Sequence, residues 1–300
     1  MPDRNSRAGA AVSLRGLVVA SYGRRYGVTV AGLGEFDCVT RGKRSDLACG
    51  DRVRITSGSP GQGVIEEVEP RASLLYRSVA HRQKLIAANV TQAVIVVAAE
   101  PPPHEELLTR CLAASEHAGI PAAIVVNKSD LPQHAHALAT LELYRGLGYP
   151  VVSLCALRDV EPLRPILHGG VSVFVGQSGV GKSTLINALC PDARARTRDI
   201  SSALGAGRHT TTHARLYHLE SGASLIDSPG MQAFGLHHLD ARALAQAFVE
   251  FRDHIGACRF RDCRHLAEPG CAIVAAVAAG RIALRRLELY RRLVRERDSA

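Results

Sequence analysis

The spacing of apolar positions changes along the chain and separates three regions. In the first, short apolar runs such as LRGLVVAS and YGVTVAG are separated by polar or Gly-rich turns at intervals of about 8 to 12 residues. This spacing is typical of a small barrel or sandwich of about four or five strands. We predict an OB-type β-barrel at residues 13–74, preceded by a flexible tail at 1–12.

In the second region, residues 75–235, unbroken apolar runs alternate with stretches of helical spacing. TQAVIVVAAE and PAAIVVNKSD have the character of strands buried in a parallel sheet. HEELLTRCLAASEHAG and HALATLELYRGLG are typical of helices, and Gly119 marks the end of the first. We predict a parallel α/β sheet with helices on both faces, which binds its ligands at the carboxyl ends of its strands.

The third region, residues 236–300, has mostly helical spacing. DARALAQAFVEFRDH predicts one helix that begins after the N-cap Asp240, with an apolar stripe formed by Leu244, Phe248, Phe251 and Ile255. AIVAAVAAG and IALRRLELYRRLVRER predict two further helices separated at Gly280. We therefore predict a helical domain at the carboxyl end of the chain.

The net charge of +9 over 300 residues adds a functional expectation. Such a balance favours a polyanionic partner, with nucleic acid first, although a solvated basic surface has the same composition. On the barrel, an RNA-binding face would use Arg15, Arg24, Arg25, Arg41, Lys43 and Arg44. We see no apolar run of membrane-spanning length and no secretory signal, so we expect a cytoplasmic monomer without membrane contact.

Three of the eight cysteines crowd together with a histidine in the third region. The pattern Cys258-x4-Cys263-x-His265-x5-Cys271 supplies three thiolates and one imidazole. These are the ligands of a tetrahedral structural zinc site, which leaves no open position for catalysis. Coincidental free cysteines and a redox pair are the alternatives, and the Cys₃His spacing favours metal.

The stretch GQSGVGKST follows the apolar run VSVFV and opens a helix-like segment. Its glycines let backbone N–H groups surround phosphate oxygens, the lysine reaches the β- and γ-phosphates, and the serine ligates Mg²⁺. The predicted phosphate-binding residues are Gly176, Gln177, Ser178, Gly179, Val180, Gly181, Lys182, Ser183 and Thr184.

NKSD lies upstream of this loop, although in most GTPases the base-reading element comes after it. Asp130 can accept hydrogen bonds from the N1–H and exocyclic amine of guanine, and adenine offers neither. We predict that Asn127, Lys128, Ser129 and Asp130 bind guanine. The fifth element of the site matches Cys155-Ala156-Leu157, where the backbone N–H of Ala156 would meet guanine O6.

DSPG and the segment 205–219 complete the predicted GTP site. Asp227 would hold Mg²⁺, and the N–H of Gly230 would contact the γ-phosphate. We interpret 205–219 as a switch segment in which Thr210 or Thr211 closes on Mg²⁺ and the γ-phosphate. Where many GTPases have a water-orienting Gln, this chain has Met231. His209 is the substitute we predict, together with slow intrinsic turnover.

The order NKSD, GQSGVGKST, GRHTTT, DSPG and C-x4-C-x-H-x5-C resembles the RsgA (YjeQ/YloQ) family of circularly permuted GTPases over nearly the whole chain. The resemblance implies GTP hydrolysis stimulated by the 30S subunit and a late role in small-subunit maturation on 16S rRNA. It also implies that His209 takes part in hydrolysis. The cofactors expected are one structural Zn²⁺ and Mg²⁺ with GTP.

Two other function classes are open at this stage. The chain could be a GTP-dependent RNA-binding or sensing protein in which hydrolysis is incidental. A P-loop nucleotide kinase or ATPase is disfavoured by NKSD, because that motif selects guanine over adenine.

Overall fold

The computed structural model describes residues 12–42, 46–79, 82–167, 169–191, 213–229 and 234–299. Its strands are β1 (Val12–Ser21), β2 (Arg25–Val30), β3 (Gly34–Thr40), β4 (Arg52–Ser59), β5 (Gln62–Val68), β6 (Leu74–Val79), β7 (Arg82–Ala88), β8 (Gln92–Ala98), β9 (Ala122–Asn127), β10 (Val151–Ser153), β11 (Val171–Val175), β12 (Ala214–His218) and β13 (Ser224–Asp227). Its α-helices are α1 (Glu105–His117), α2 (His134–Gly146), α3 (Lys182–Leu189), α4 (Ala241–Gln246), α5 (Ala272–Ala278) and α6 (Leu284–Asp298). No helix among the described residues has both the length and the apolar character needed to cross a membrane.

The first five strands close into a barrel in the order β1-β2-β3-β5-β4, because β4 pairs back onto β1. Its interior holds apolar side chains with almost no exposure, among them Val18, Val28 and Ile55. This confirms the predicted OB-type barrel. β1 begins at Val12, one residue inside the predicted tail, and residues 1–11 lie outside the described ranges.

The α/β sheet has the order β10-β9-β8-β11-β13-β12. The first five of these strands are parallel, so the residues after β9, β10, β11 and β13 meet at one edge of the sheet. Burial on both faces explains their unbroken apolar character. The order in space therefore places the base-reading and phosphate-binding motifs side by side, whatever their order in the chain.

β12 corrects the interpretation of 205–219 as one switch segment. Residues Ala214–His218 form a regular strand, antiparallel to β13 on one side and to β1 of the barrel on the other. Pairing at both edges gives this polar stretch a strand conformation that its sequence did not indicate. Through β12, the barrel and the α/β sheet form one continuous sheet.

A hairpin of β6 and β7 lies between the barrel and the α/β sheet and was not predicted. The sequence between its strands, Ala80-His81, contains none of the Gly, Asn or Asp residues typical of hairpin turns. The backbone N–H of Ser78 donates to the carbonyl of Gly235 at 2.9 Å. The hairpin thus contacts the segment that follows the DSPG motif.

The helix predicted over DARALAQAFVEFRDH is interrupted. Asp240 caps it as expected, accepting from the N–H of Ala243 at 2.7 Å, but α4 ends at Gln246. Phe248 is extended, and a 3-10 helix, Val249–His254, follows. The break lets the rings of Phe248 and Phe251 pack against Tyr290, with ring centres 5.4 and 5.1 Å away.

A fully buried arginine joins the carboxyl-terminal helices to the α/β sheet. Arg286 of α6 donates to Glu250 at 2.5 Å and to Thr109 of α1 at 3.1 Å. Its guanidinium also lies 4.5 Å from the ring centre of Phe248 and 5.2 Å from that of Tyr144 in α2. One apolar core extends from the sheet through α1 and α2 into α4, α5 and α6.

We expect Arg286→Ala to lower the free energy of unfolding by about 3 to 5 kcal/mol, because it leaves the Glu250 carboxylate buried without its charge partner. The matched control is Arg292→Ala on the same helix, where the side chain is 67% exposed and the expected change is within about 0.5 kcal/mol. Urea unfolding at neutral pH, followed by circular dichroism, measures both. Equal midpoints for the two variants would contradict this account.

Candidate functional site

The phosphate-loop sequence forms a tight turn between β11 and α3. Gly176 has φ +147, and a Cβ there would lie 2.2 Å from the carbonyl oxygen of Val96. Gly181 has φ +95, and a Cβ there would lie 2.3 Å from Nδ2 of Asn127. Both positions therefore require glycine, for their backbone conformation and for the close approach of neighbouring strands.

The side chain of Lys182 lies inside this turn. Its Nζ donates to the carbonyl oxygens of Gly176 at 2.8 Å and Gln177 at 2.9 Å, and only 6% of the residue is exposed. Burial lowers the pKa of Lys182, while the nearby Asp227 carboxylate acts in the opposite direction. A bound phosphate would offer this cation a charged partner in place of two neutral carbonyls.

Asn127 connects three loops at the carboxyl edge of the sheet. Its Nδ2 donates to the carbonyl of Val180 in the phosphate loop at 2.9 Å. Its Oδ1 accepts from the backbone N–H of Ala156 at 3.0 Å. The residue is 2% exposed, so these bonds form in a water-poor environment. Nδ2 carries a second hydrogen, which remains available for a base.

Lys128 and Asp130 extend the same edge. Lys128 Nζ donates to the backbone carbonyls of Gly179 at 2.9 Å and Glu100 at 2.5 Å, so its stem crosses from the NKSD loop to the phosphate loop. Asp130 is exposed. The pKa of its carboxyl is lowered, chiefly by a hydrogen bond from the Cys155 thiol. The carboxylate is therefore ionised at neutral pH, as the reading of guanine donors requires.

The two predicted magnesium ligands face each other across the sheet edge. Ser183 Oγ lies 3.5 Å from Asp227 Oδ2. Asp227 ends β13 and is 4% exposed. Hydroxyl and carboxylate oxygens are the ligands that a hard cation prefers. This pair lies next to the phosphate loop, where such a cation could also bind phosphate oxygens.

The N–H of Ala156, which we predicted to meet guanine O6, donates to Asn127 Oδ1 at 3.0 Å. Its contact with guanine stays a prediction. Seven residues named in the sequence predictions lie outside the described ranges. They are His209, Thr210, Thr211, Gly230 and Met231 of the predicted GTP site, and Lys43 and Arg44 of the predicted RNA-binding face.

The cysteine and histidine cluster forms a second site. Nδ1 of His265 lies 3.6 Å from the sulfurs of Cys258 and Cys263 and 3.4 Å from that of Cys271, and the sulfurs of Cys258 and Cys271 are 4.0 Å apart. Around a tetrahedral ion with bonds of about 2.3 Å to sulfur and 2.0 Å to nitrogen, a sulfur and a nitrogen lie about 3.5 Å apart and two sulfurs about 3.8 Å apart. The four side chains can therefore hold one metal ion.

Two contacts that sequence reasoning missed support this cluster. The Glu268 carboxylate accepts from the backbone N–H groups of Arg264, Leu266 and Ala267 at 2.8 to 3.0 Å, which fixes the loop where His265 has φ +62. The N–H of Ala272 points to the Cys258 sulfur at 3.3 Å. Such outer contacts orient ligands before metal binds.

Cysteines outside the cluster have a different environment. Burial raises the pKa of Cys38 to about 11 and that of Cys111 to about 12. Both are therefore protonated thiols at neutral pH, and neither belongs to the group of four cysteine and histidine side chains whose ligand atoms lie within 4.8 Å of one another.

A sequence model of the RsgA GTPase family matches residues 68–237, more than half of the chain. The chain belongs to the RsgA GTPase family. A relative from Nitrosospira multiformis, named small ribosomal subunit biogenesis GTPase RsgA, is 53% identical over 283 residues, which cover 94% of this chain and 90% of the relative. One of the same name from Neisseria meningitidis serogroup C is 54% identical over 270 residues, covering 90% and 88%.

Two crystal structures share the fold of this RsgA-family chain. YjeQ from Thermotoga maritima has a TM-score of 0.72 at 31% identity, covering 96% of this chain and all of its own. YloQ, described as a circularly permuted GTPase, has a TM-score of 0.67 at 26% identity, covering 99% and 98%. The reversed order of NKSD and the phosphate loop is therefore a circular permutation, as the sequence predicted.

We expect Gly181→Ala to lower GTP affinity at least about tenfold. The added Cβ strains the backbone and displaces Asn127 Nδ2 from its hydrogen bond with the Val180 carbonyl, and the two costs together exceed about 1.4 kcal/mol. The control is Gly222→Ala, where φ is +82 but nothing lies within 4 Å of the added Cβ. Titration with a fluorescent GTP analogue measures both affinities. If the two variants bind equally, the close approach to Asn127 is irrelevant to binding.

We expect Cys271→Ser to reduce bound metal from about one ion per chain to less than about 0.2, because a hydroxyl replaces a thiolate ligand. Cys38→Ala, in the barrel core, should keep the wild-type content. Atomic emission on the purified variants measures the metal. Full occupancy in the Cys271 variant would exclude this residue as a ligand.

Proposed function

We propose that this chain hydrolyses GTP to GDP and phosphate in the service of small ribosomal subunit biogenesis. One observation carries the proposal: Asn127 and Lys128 of the NKSD loop both donate hydrogen bonds to backbone carbonyls of the phosphate loop. Relatives covered over about nine-tenths of their length are named for small ribosomal subunit biogenesis, which supports the 30S subunit as the partner.

The proposed guanine contacts come from the NKSD loop. Asp130 accepts from the base, Asn127 uses the remaining hydrogen of Nδ2, and the stem of Lys128 covers the ring. Ser129 holds the loop through its backbone N–H, which donates to Leu154 at 3.1 Å. The N–H of Ala156 meets guanine O6 in the proposed complex, and it donates to Asn127 Oδ1 in the structure.

The proposed phosphate contacts come from the turn between β11 and α3. Backbone N–H groups of this turn and the ammonium of Lys182 neutralise phosphate oxygens, and charge that develops during transfer is stabilised by the same groups. The residues assigned to this role are Gly176, Gln177, Ser178, Gly179, Val180, Gly181, Lys182, Ser183 and Thr184, with Gly230 at the γ-phosphate.

Magnesium and water complete the proposed chemistry. Ser183 and Asp227 would hold Mg²⁺, which would supply positive charge to stabilise the phosphates. Thr210 or Thr211 joins them in the GTP-bound state, and His209 positions the attacking water, since Met231 cannot. A histidine in this role predicts slow intrinsic turnover and the need for an activating partner.

We also propose that the metal of the Cys₃His cluster is structural Zn²⁺. Three sulfurs and one nitrogen within 4.8 Å of one another suit this ion and supply all four ligands of a tetrahedral site, which leaves no position for water. The zinc contributes folding energy to the carboxyl-terminal region, whose loop holds all four ligands.

The proposed working arrangement has three regions: a barrel at 13–74, a GTPase domain at 75–235 and a zinc-binding region at 236–300. Barrel and zinc-binding region contact 16S rRNA, which is consistent with the net charge of +9. Loss of the γ-phosphate relaxes the switch segments and changes this grip. The protein acts as a cytoplasmic monomer without membrane contact.

We expect purified 30S subunits to raise GTP hydrolysis many-fold, and His209→Ala to reduce the stimulated rate by about 100-fold with GTP binding intact. His136→Ala, an exposed histidine of α2, is the matched control and should behave as wild type. Phosphate release, with and without subunits, measures the rates.

Each outcome of this experiment has one meaning. If 30S subunits leave the wild-type rate unchanged, the biogenesis role is wrong, and a GTP-dependent RNA-binding or sensing protein becomes the better account. If the His209 variant retains stimulation, the function stands and the assignment of His209 is wrong.

A further inference from the structure

Arg215 occupies a position between the barrel and the proposed magnesium site. It lies in β12, where its backbone is opposite Ala20 of β1 on one side and opposite Asp227 of β13 on the other. It is therefore the residue of β12 that adjoins both the barrel and the aspartate assigned to magnesium.

The side chain of Arg215 is held by the barrel. Its Nη1 donates to the hydroxyl of Tyr22, after β1, at 2.8 Å, and its Nη2 to Glu35 of β3 at 3.0 Å. The side chain is only 11% exposed. At Gly27 of β2, a Cβ would lie 2.5 Å from Oε1 of Glu35, so the missing side chain leaves room for this carboxylate.

Arg215 and Asp227 also share a face of the sheet. Residues directly opposite each other on antiparallel strands have Cβ atoms about 5 Å apart and side chains on the same side. An arginine side chain that starts from such a position is long enough to bring its guanidinium to the Asp227 carboxylate. The Nε of Arg215 is buried and has no hydrogen-bond partner among the described residues, so the Nη contacts to the barrel determine where the guanidinium lies.

We propose that Arg215 is a positioning residue through which the barrel controls the magnesium site. While Tyr22 and Glu35 hold its guanidinium, Arg215 does not compete with Mg²⁺ for the Asp227 carboxylate. When these barrel contacts are released, Arg215 pairs with Asp227 and competes with the metal. The inference rests on the proposed role of Asp227. It implies that a partner that displaces Arg215 from its barrel contacts would weaken Mg²⁺ binding beside the nucleotide.

The test is the Mg²⁺ dependence of binding of a fluorescent, slowly hydrolysed GTP analogue, without ribosomal subunits. We expect Glu35→Gln and Tyr22→Phe each to raise the half-saturating Mg²⁺ concentration by about threefold, in line with the modest strength of a partly exposed pair. Glu66→Gln, which breaks the remote barrel pair with Arg41, is the matched control and should leave it unchanged.

The double variant Glu35→Gln/Arg215→Met separates competition from loss of structure. Removing the competing cation should return the Mg²⁺ requirement to the wild-type value, whereas general damage to the barrel contact would persist. Arg215→Gln replaces Arg215→Met if thermal melting reveals misfolding. A double variant as impaired as Glu35→Gln alone, or a Glu35 variant indistinguishable from Glu66→Gln, would overturn the proposal.

Asp227→Asn distinguishes this inference from the function on which it rests. If that variant leaves the Mg²⁺ requirement unchanged, the proposed magnesium site itself is wrong. If it raises the requirement and Glu35→Gln does not, only the role of Arg215 is wrong.

Discussion

The nucleotide site depends on the buried side-chain amide of Asn127. It binds the phosphate loop through Val180 and the Cys155–Leu157 loop through Ala156, so three loops share one residue. These loops are far apart in a permuted chain, and no local stretch of sequence can hold them together. Loss of either contact would leave buried polar atoms without partners, at a cost of about 1 to 3 kcal/mol each. The base and phosphate positions would then no longer be fixed relative to each other.

The carboxyl-terminal helices are a continuation of the GTPase core. Arg286 enters between α1 and α2, and its charge is balanced by Glu250 within the same buried cluster. The next turn of α6 holds the metal-binding loop, because Tyr290 donates to the carbonyl of Arg264 at 3.1 Å. The metal-binding loop is therefore packed onto the same apolar core as α1 and α2. Densely packed interiors of this kind transmit strain.

The barrel is joined to the GTPase by backbone pairing as well as by side chains. β1 pairs with β4 in the barrel and with β12 in the α/β sheet, so one strand belongs to both. The N–H of Ala88, at the end of the hairpin, donates to the carbonyl of Cys49 in the barrel at 2.8 Å. The barrel strand β1 therefore pairs directly with β12, the strand beside Asp227, so a partner bound to the barrel would act on that strand through backbone hydrogen bonds.

The sequence by itself determined the elements with strong local patterns: the buried parallel strands, α1 ending before Gly119, the glycine-rich turn before α3, and the cluster of three cysteines and one histidine that could hold a metal ion. Each depends on residues close together in the chain, so the spacing of those residues is enough to predict the element. The sequence did not reveal β12, the β6–β7 hairpin, the break after α4 or the contact between Ala156 and Asn127. Tertiary structure decided these, because they arise from pairing partners and packing surfaces supplied by distant residues, and such partners leave no local pattern.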